Sequence, residues 1–177
     1  LGYCQLTGTI PSTIGQLSSL EFLRLSYNQL NGTISSTIGQ LSSLQHLWLD
    51  GNQLTGSIPS TIGQLSYLQV LYLGNNQLIG SIPSTVGQLF SLWYVALYNN
   101  KLIGRVPASL CQINVIYYLF FHDNMFECYP ACLLYPKVYS LSVGSTPICD
   151  QPTVAPTLRP TCSSSLSYDC NLSLIHI

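Results

Sequence analysis

A 24-residue segment recurs along most of the chain, and no other feature restricts the possible fold as strongly. The stretch LSSLQHLWLDGNQLTGSIPSTIGQ begins at Leu41, and LSYLQVLYLGNNQLIGSIPSTVGQ begins at Leu65. Further copies begin at Leu17 and Leu89, a degenerate copy begins at Ile113, and residues 1–16 are the second part of an earlier unit. Such a unit cannot bury its apolar face alone, so the repeat predicts a stack with one continuous core.

The first half of each unit predicts one short strand. Apolar residues alternate there with variable residues, at Leu23/Leu25, Leu47/Leu49, Leu71/Leu73, Val95/Leu97 and Leu119/Phe121. A period of two marks a strand with one buried face. One strand per unit gives, on stacking, a parallel sheet with about 4.8 Å between neighbouring strands.

An asparagine follows each predicted strand at a constant offset, at Asn28, Asn52, Asn76, Asn100 and Asn124. A side-chain amide both donates and accepts hydrogen bonds. At the point where the chain turns inward, it can therefore satisfy backbone groups that would otherwise be buried without a partner. Cys4 stands in the same register, and we expect it to be a small buried residue.

The second half of each unit reads Leu-x-Gly-x-Ile-Pro, with Ser35 in place of proline in one copy. The whole consensus, LxxLxxLxLxxNxLxGxIPxxIGxL, resembles the plant-type leucine-rich repeat of receptor-kinase ectodomains and polygalacturonase-inhibiting proteins. The resemblance covers residues 1 to about 126. It implies an α/β-type repeat solenoid, a right-handed curved superhelix with a concave parallel β-sheet and a second short strand near Gly-x-Ile-Pro.

Three segments follow from the repeat pattern and the composition. Residues 1–110 carry the regular repeats, and because the chain opens in mid-repeat we expect this part to be N-terminally truncated. Residues 111–149 contain the last degenerate repeat and a cysteine-rich C-terminal cap, which a solenoid needs to cover its open end. Residues 150–177 are rich in Pro, Thr and Ser and are expected to form a tail or stalk.

Six of the seven cysteines lie in the last 67 residues, a clustering typical of disulfides in a secreted or cell-surface protein. Cys111 and Cys132 are 21 residues apart, as are Cys128 and Cys149. These pairings have consistent geometry, and we take them as the prediction; the pairing 111–128 with 132–149 stays open. Cys162 and Cys170 form a further candidate pair. The spacing favours disulfides over a metal site.

The chain is 6% charged with a formal net charge of −1, which argues against nucleic acid or an anionic membrane as a partner. It has no apolar run long enough for a membrane span. It shows no catalytic constellation, so we predict neither an enzyme nor a cofactor; a kinase could lie outside this fragment if it belongs to a receptor. Two sequons, at Asn31 and Asn171, are candidate glycosylation sites.

In the family that the repeat resembles, ligands usually bind the concave sheet. The variable positions around the strand leucines should face that side and are rich in aromatic residues and histidines. Exposed patches of this type mark interaction sites, and Tyr and Trp dominate them. The predicted site for a protein or glycan ligand comprises Phe22, Arg24, His46, Trp48, Asp50, Tyr72, Tyr94, Tyr98, Tyr118, Phe120 and His122.

The sequence leaves three alternative functions open. The aromatic residues could stack across neighbouring strands and only stabilise the sheet, as expected of a structural wall or surface component. An inhibitor of a cell-wall hydrolase is a second alternative, although its concave surface would be expected to carry more charge. The recurring hydroxyls, Thr13, Thr37, Thr61 and Thr85, raise ice binding as a more remote one.

Overall fold

The computed structural model describes residues 4–114, 116–134 and 138–149. Each unit contributes a strand on one side, a strand on an adjoining side and a short 3-10 helix. The strands are β1 (Thr7–Thr9), β2 (Phe22–Arg24), β3 (Gln29–Thr33), β4 (His46–Trp48), β5 (Gln53–Thr55), β6 (Val70–Tyr72), β7 (Ile79–Gly80), β8 (Tyr94–Ala96), β9 (Lys101–Arg105), β10 (Ile116–Phe120), β11 (Met125–Cys128) and β12 (Val138–Ser142). The 3-10 helices are η1 (Ser12–Gln16), η2 (Ser36–Gln40), η3 (Ser60–Gln64), η4 (Ser84–Gln88), η5 (Ala108–Gln112) and η6 (Ala131–Leu133).

The strands from the first half of each unit form one six-stranded parallel sheet, in the order β12-β10-β8-β6-β4-β2. Its register follows the repeat, since Trp48 pairs with Tyr72 and Tyr72 with Ala96. The other strands form two three-stranded sheets, β1-β3-β5 and β11-β9-β7. Both the parallel sheet and the second short strand near Gly-x-Ile-Pro are therefore confirmed. On the opposite side, the regular secondary structure of the described residues is 3-10 helix.

The core runs between these layers. The strand leucines and the Ile or Val of η2, η3 and η4 are almost fully buried, as at Leu47, Leu71 and Ile62, whereas Ile14 and Leu25 in the first units are only partly buried. A fully buried aliphatic side chain contributes about 1.5–3 kcal/mol relative to an exposed one. Because the central units bury the same positions, the core continues from one unit to the next.

The asparagine ladder bonds backbone groups of two successive units. At Asn76, Oδ1 accepts from the Leu54 amide at 3.0 Å, while Nδ2 donates to the carbonyls of Leu49 at 3.0 Å and Leu73 at 3.1 Å. Asn52, Asn100 and Asn124 repeat this pattern. The ladder thus satisfies backbone polar groups inside a core that has no water to offer them.

Cys4 stands in this register, but the expectation that it is buried is wrong, because Cys4 is exposed. Its backbone amide donates to Asn28 Oδ1 at 3.1 Å. Cys4 belongs to the first unit of the described part of the chain, so no described unit packs against its N-terminal side.

The 3-10 helices η1 to η4 pack closely against the next helix because each carries a glycine at the contact. A Cβ added to Gly63 would lie only 2.5 Å from the carbonyl oxygen of Thr85 in the next unit. The Thr85 hydroxyl in turn donates to the Ser60 carbonyl at 2.7 Å, and Thr37 and Thr61 make equivalent bonds. These hydroxyl groups donate hydrogen bonds between neighbouring units, so the row of threonines stabilises the stack. The threonine row therefore gives no support to ice binding.

The C-terminal end is joined by two disulfides, Cys111–Cys132 and Cys128–Cys149. Cys111 stands where the preceding units have the packing glycine, so the disulfide lies where η5 meets η6. The sheet continues through β12 beyond residue 110, and Tyr129 pairs with Ile148 in a parallel bridge. Cys162, Cys170 and Asn171 lie outside the described residues, as does the predicted tail at 150–177.

Candidate functional site

The predicted ligand-binding residues lie on or directly after strands β2, β4, β6, β8 and β10 of the six-stranded sheet. Alternation places the leucine of each strand in the core and its neighbours on the opposite face. The structure brings the aromatic residues of this face into two groups. The N-terminal group contains Phe22, Arg24, His46 and Trp48; the tyrosine group contains Tyr72, Tyr94, Tyr98, Tyr118, Phe120 and His122. Together they form what we call the concave aromatic face.

The N-terminal group is built on a cation–π contact. The guanidinium carbon of Arg24 lies 3.8 Å from the ring centroid of Trp48 and 5.4 Å from that of Phe22. His46 lies between these rings, with its centroid 4.9 Å from Phe22 and 5.5 Å from Trp48. Contacts between a guanidinium and aromatic faces contribute about 0.5–1 kcal/mol at exposed sites. This end of the face is therefore aromatic and positively charged.

Two nitrogens of this group have no hydrogen-bond partner within the described part of the chain. They are Nδ1 of His46 and Nε1 of Trp48, and both atoms are buried. Burial, and then the positive charge of Arg24, lowers the pKa of His46 below its usual value. The ring is therefore neutral at physiological pH. Buried polar atoms without a partner are uncommon in proteins.

The tyrosine group forms a continuous layer of rings over three neighbouring strands. The ring centroids of Tyr72 and Tyr94 are 4.6 Å apart, those of Tyr94 and Tyr118 are 5.2 Å apart, and Phe120 lies 5.7 Å from Tyr94. Burial raises the pKa of Tyr72, Tyr94 and Tyr98 above the usual tyrosine value. These phenols therefore stay protonated and can donate hydrogen bonds.

Tyr98 and His122 form a second stack beside this layer. Their ring centroids are 5.1 Å apart and the planes differ by 9°. The Tyr98 hydroxyl accepts from Asn75 Nδ2 at 3.2 Å, and His122 Nδ1 lies 2.9 Å from Ser142 Oγ. Both rings are thus fixed in orientation by polar contacts.

Asp50 lies in its predicted column, but the expectation that it stands exposed is wrong. Only 5% of the residue is accessible, and its Oδ1 accepts a hydrogen bond from the Ser26 hydroxyl. Val70 and Ala96 occupy other positions of these columns and are also buried. Position in the repeat alone does not reveal that these three residues are buried.

The structure adds aromatic residues that the column pattern missed. Trp93 contacts Tyr94 edge-on at 5.8 Å and Tyr117 at 6.3 Å. Tyr139, on β12, lies 6.2 Å from Tyr118 and is 82% exposed. Trp93 precedes its strand, and Tyr139 follows the last recognisable repeat, so neither stood in a column that the repeat defines.

The described residues offer little for other chemistry. Among them no group of three His, Cys, Asp or Glu side chains could hold a metal ion. No helix of the described part is long and apolar enough to cross a membrane. Asn31 is exposed on β3, and its glycosylation stays a prediction.

Known protein families and solved structures show which family this chain belongs to. A family model described as "Leucine rich repeat" matches residues 1–54, and one described as "Leucine Rich repeats (2 copies)" matches residues 42–85. The ectodomain of the receptor kinase SOBIR1 from Arabidopsis thaliana is 33% identical, with 73% of this chain and 70% of that chain covered and a TM-score of 0.69. The chain belongs to the leucine-rich-repeat family. No curated protein matches it.

Other ectodomains are similar to this leucine-rich-repeat chain. A chain of the BIR3–SERK2 complex from Arabidopsis thaliana is 38% identical over 70% of this chain and 65% of that one, with a TM-score of 0.62. The Arabidopsis receptor kinase HAESA, in complex with the peptide hormone IDA and the co-receptor SERK1, is 35% identical over 69% and 21%, with a TM-score of 0.65. The chain thus spans about two thirds of the first and one fifth of the second.

These similarities indicate in which compartment the protein lies and which class of module it belongs to. Ectodomains are the extracellular parts of receptors, and disulfides persist in oxidising compartments. The likeness and the two disulfides therefore indicate an extracellular or cell-surface location. Both family models describe repeat modules, and the similar solved structures include leucine-rich-repeat ectodomains, so this segment is classed with non-catalytic leucine-rich-repeat modules.

Proposed function

We propose that this protein is an extracellular recognition module that binds an extended segment of a protein ligand along the concave aromatic face. The observation that carries the proposal is that the two aromatic groups lie next to each other on one sheet, since Trp48 pairs with Tyr72 on the neighbouring strand. Aromatic contacts link Phe22 to Trp48 at one end and Tyr72 to Phe120 and Tyr139 at the other.

The chemistry of the face suits a peptide. Tyrosine and tryptophan bury a large area at a small loss of side-chain entropy, and each keeps a polar group for hydrogen bonding. The phenols of the tyrosine group are protonated, and the rings of Trp48, Tyr72 and Tyr94 are only partly buried. A ligand can therefore cover apolar ring surface and exchange hydrogen bonds with the hydroxyls.

The similar proteins support a protein ligand over a glycan. HAESA is known in complex with a peptide hormone and a co-receptor, and BIR3 in complex with SERK2. Ring stacking within the face also stabilises the sheet, at about 0.5–1.5 kcal/mol per pair. That contribution does not compete with binding, because the stacked rings still present accessible edges and faces.

The test is selection from a displayed library of random twelve-residue peptides on the folded protein. Selected peptides are then titrated by calorimetry into the wild type and into a variant with Trp48, Tyr72 and Tyr94 replaced by Ala. We expect the variant to lose binding at least about 100-fold, since a central aromatic contributes about 2 kcal/mol or more.

A matched control removes aromatic rings elsewhere. Tyr67 and Phe90 are 62% and 64% exposed and lie outside the concave aromatic face. The Tyr67→Ala, Phe90→Ala variant should bind as the wild type does, and circular dichroism should show all three proteins folded. Equal affinity in the concave variant would refute the proposal. Selection of oligosaccharides from a glycan array, with no peptide selected, would favour the glycan alternative instead.

A further inference from the structure

Asp50 is unusual in this protein because its carboxylate is buried beside aromatic rings. Only 5% of the residue is accessible. The ion pairs among the described residues are Arg105–Glu127 and His122–Asp123, and neither includes Asp50. A buried charge without a counterion is costly, so such residues are uncommon unless they pair or bind something.

The repeat does not need a carboxylate at this position. The equivalent residues of neighbouring units are Ser26, Gly74 and Tyr98, and each unit folds with the same register. The Ser26 hydroxyl satisfies one carboxylate oxygen, but a neutral hydroxyl supplies no opposite charge. The negative charge therefore contributes nothing that the scaffold requires.

Aromatic rings lie near the carboxylate. Gly74 holds the position equivalent to Asp50 and Tyr98 in the unit that lies between theirs. A Cβ at Gly74 would lie 2.7 Å from Cε1 of Tyr98, so the Tyr98 ring lies over the glycine. One face of this ring stacks on His122, which leaves the opposite face directed toward the Asp50 unit. Burial is the main cause of the raised pKa of Tyr72, Tyr94 and Tyr98, and the nearby charge of Asp50 adds to it in all three.

A carboxylate next to aromatic faces is suited to bind an organic cation, because the ring faces and the negative charge both attract a positive charge. We propose that Asp50 and the rings of Tyr72 and Tyr98 form a subsite for one basic side chain, Lys or Arg, of the bound segment. This inference rests on the function proposed above and specifies one chemical group of the ligand. Arg24 cannot fill the subsite from within the protein while it lies against Trp48 and Phe22.

The test uses three short peptides that differ in one side chain. They are acetyl-Gly-Ser-X-Ser-Gly-amide, with X as Lys, Arg or the uncharged norleucine. Each is titrated into the protein while NMR follows the ring signals of Tyr72 and Tyr98. We expect saturable shifts with the Lys and Arg peptides and about tenfold or more weaker binding of the norleucine peptide. The tighter of the two basic peptides identifies the preferred cation.

Variants separate the subsite from a structural role. Asp50→Asn keeps an acceptor for Ser26 and should reduce binding of the Lys peptide to the norleucine level without lowering the unfolding temperature. Glu21→Gln removes the same charge from an exposed position and should leave binding unchanged. Tyr98→Phe keeps the ring and should bind, whereas Tyr98→Leu should bind at least several-fold more weakly.

Equal shifts with the Lys and norleucine peptides, no shift with any of the three, or unchanged binding by Asp50→Asn would overturn the subsite. The proposed function fails separately, if library-selected peptides bind the concave variant as well as the wild type. A charge-independent response at Tyr72 and Tyr98 would remove the subsite and leave the proposed function standing.

Discussion

At the scale of single residues, the asparagine ladder shows how one side chain can hydrogen-bond to two neighbouring units. Asn76 accepts from Leu54 in the preceding unit and donates to carbonyls of Leu49 and Leu73. These backbone groups lie in the core, where an unmade hydrogen bond costs about 1–3 kcal/mol. The side chain is thus part of the backbone hydrogen bonding of the stack.

Replacing Asn76 with Ala should lower the free energy of unfolding by about 3 kcal/mol, because several buried backbone groups lose their partner. Urea unfolding followed by circular dichroism measures the change. Gln77→Ala, at the exposed neighbouring position, should change it by less than about 0.5 kcal/mol. A loss as small at Asn76 as at Gln77 would mean that the ladder is dispensable.

His46 gives the fold a specific pH dependence. Burial and Arg24 lower its pKa in the folded protein, so the unfolded chain takes up the proton first as the pH falls below about 6.5. The free energy of unfolding should therefore decrease from pH 7 toward pH 5, until the pH reaches the lowered folded-state pKa. His46→Phe keeps an aromatic ring without a titrating group.

Urea midpoints at pH 8, 7, 6 and 5 compare the two proteins. The wild type should lose more stability than His46→Phe below pH 6.5, and the two should run parallel from pH 7 to 8. Parallel curves over the whole range would contradict the account of His46.

At the scale of elements, the repeat sets the position of each strand and 3-10 helix but not which exposed positions stay accessible. The local periodicity predicted the parallel sheet and the variable columns beside its leucines, and the family resemblance implied the concave side and the second strand. The sequence missed the burial of Asp50 and the contacts of Trp93 and Tyr139 with rings of the concave aromatic face. Those features depend on how rings from different units lean over one another, and spacing along the chain carries no information on that.

The contact between neighbouring 3-10 helices depends on the glycine at its centre. Gly63→Ala would place a Cβ 2.5 Å from the Thr85 carbonyl oxygen, so η3 and η4 must separate. We expect a loss of about 1–3 kcal/mol in the free energy of unfolding. Ser60→Ala, at an exposed position of the same helix, is the control and should be nearly neutral. Thermal unfolding distinguishes them, and equal transition temperatures would contradict close packing of the helices.

At the scale of the whole molecule, the units have nearest-neighbour contacts, so stability accumulates along the stack and each end needs its own protection. At the C-terminal end, Cys111–Cys132 and Cys128–Cys149 connect successive units where the consensus is lost. The spacing of the cysteines left two pairings open, since only the fold fixes which units face each other. Ligand identity is likewise beyond the repeat, because one scaffold accepts many surfaces.

Removal of the second disulfide should loosen this end selectively. In the variant with Cys128 and Cys149 replaced by Ser, we expect a loss of about 3 kcal/mol, the value for a loop of this length. Hydrogen exchange should become faster in β11 and β12 and stay unchanged in β4 and β6. Uniformly faster exchange along the stack would contradict the nearest-neighbour account.

The intrinsic fluorescence of the protein tests most directly whether the ligand lies on the concave aromatic face. The chain has two tryptophans, Trp48 in this face and Trp93 in edge contact with Tyr94. In the Trp93→Phe variant, Trp48 is the only indole. Titration of a library-selected peptide should shift or quench its emission with the same midpoint that calorimetry gives. Unchanged emission at peptide concentrations that saturate the calorimetric signal would contradict binding at this face.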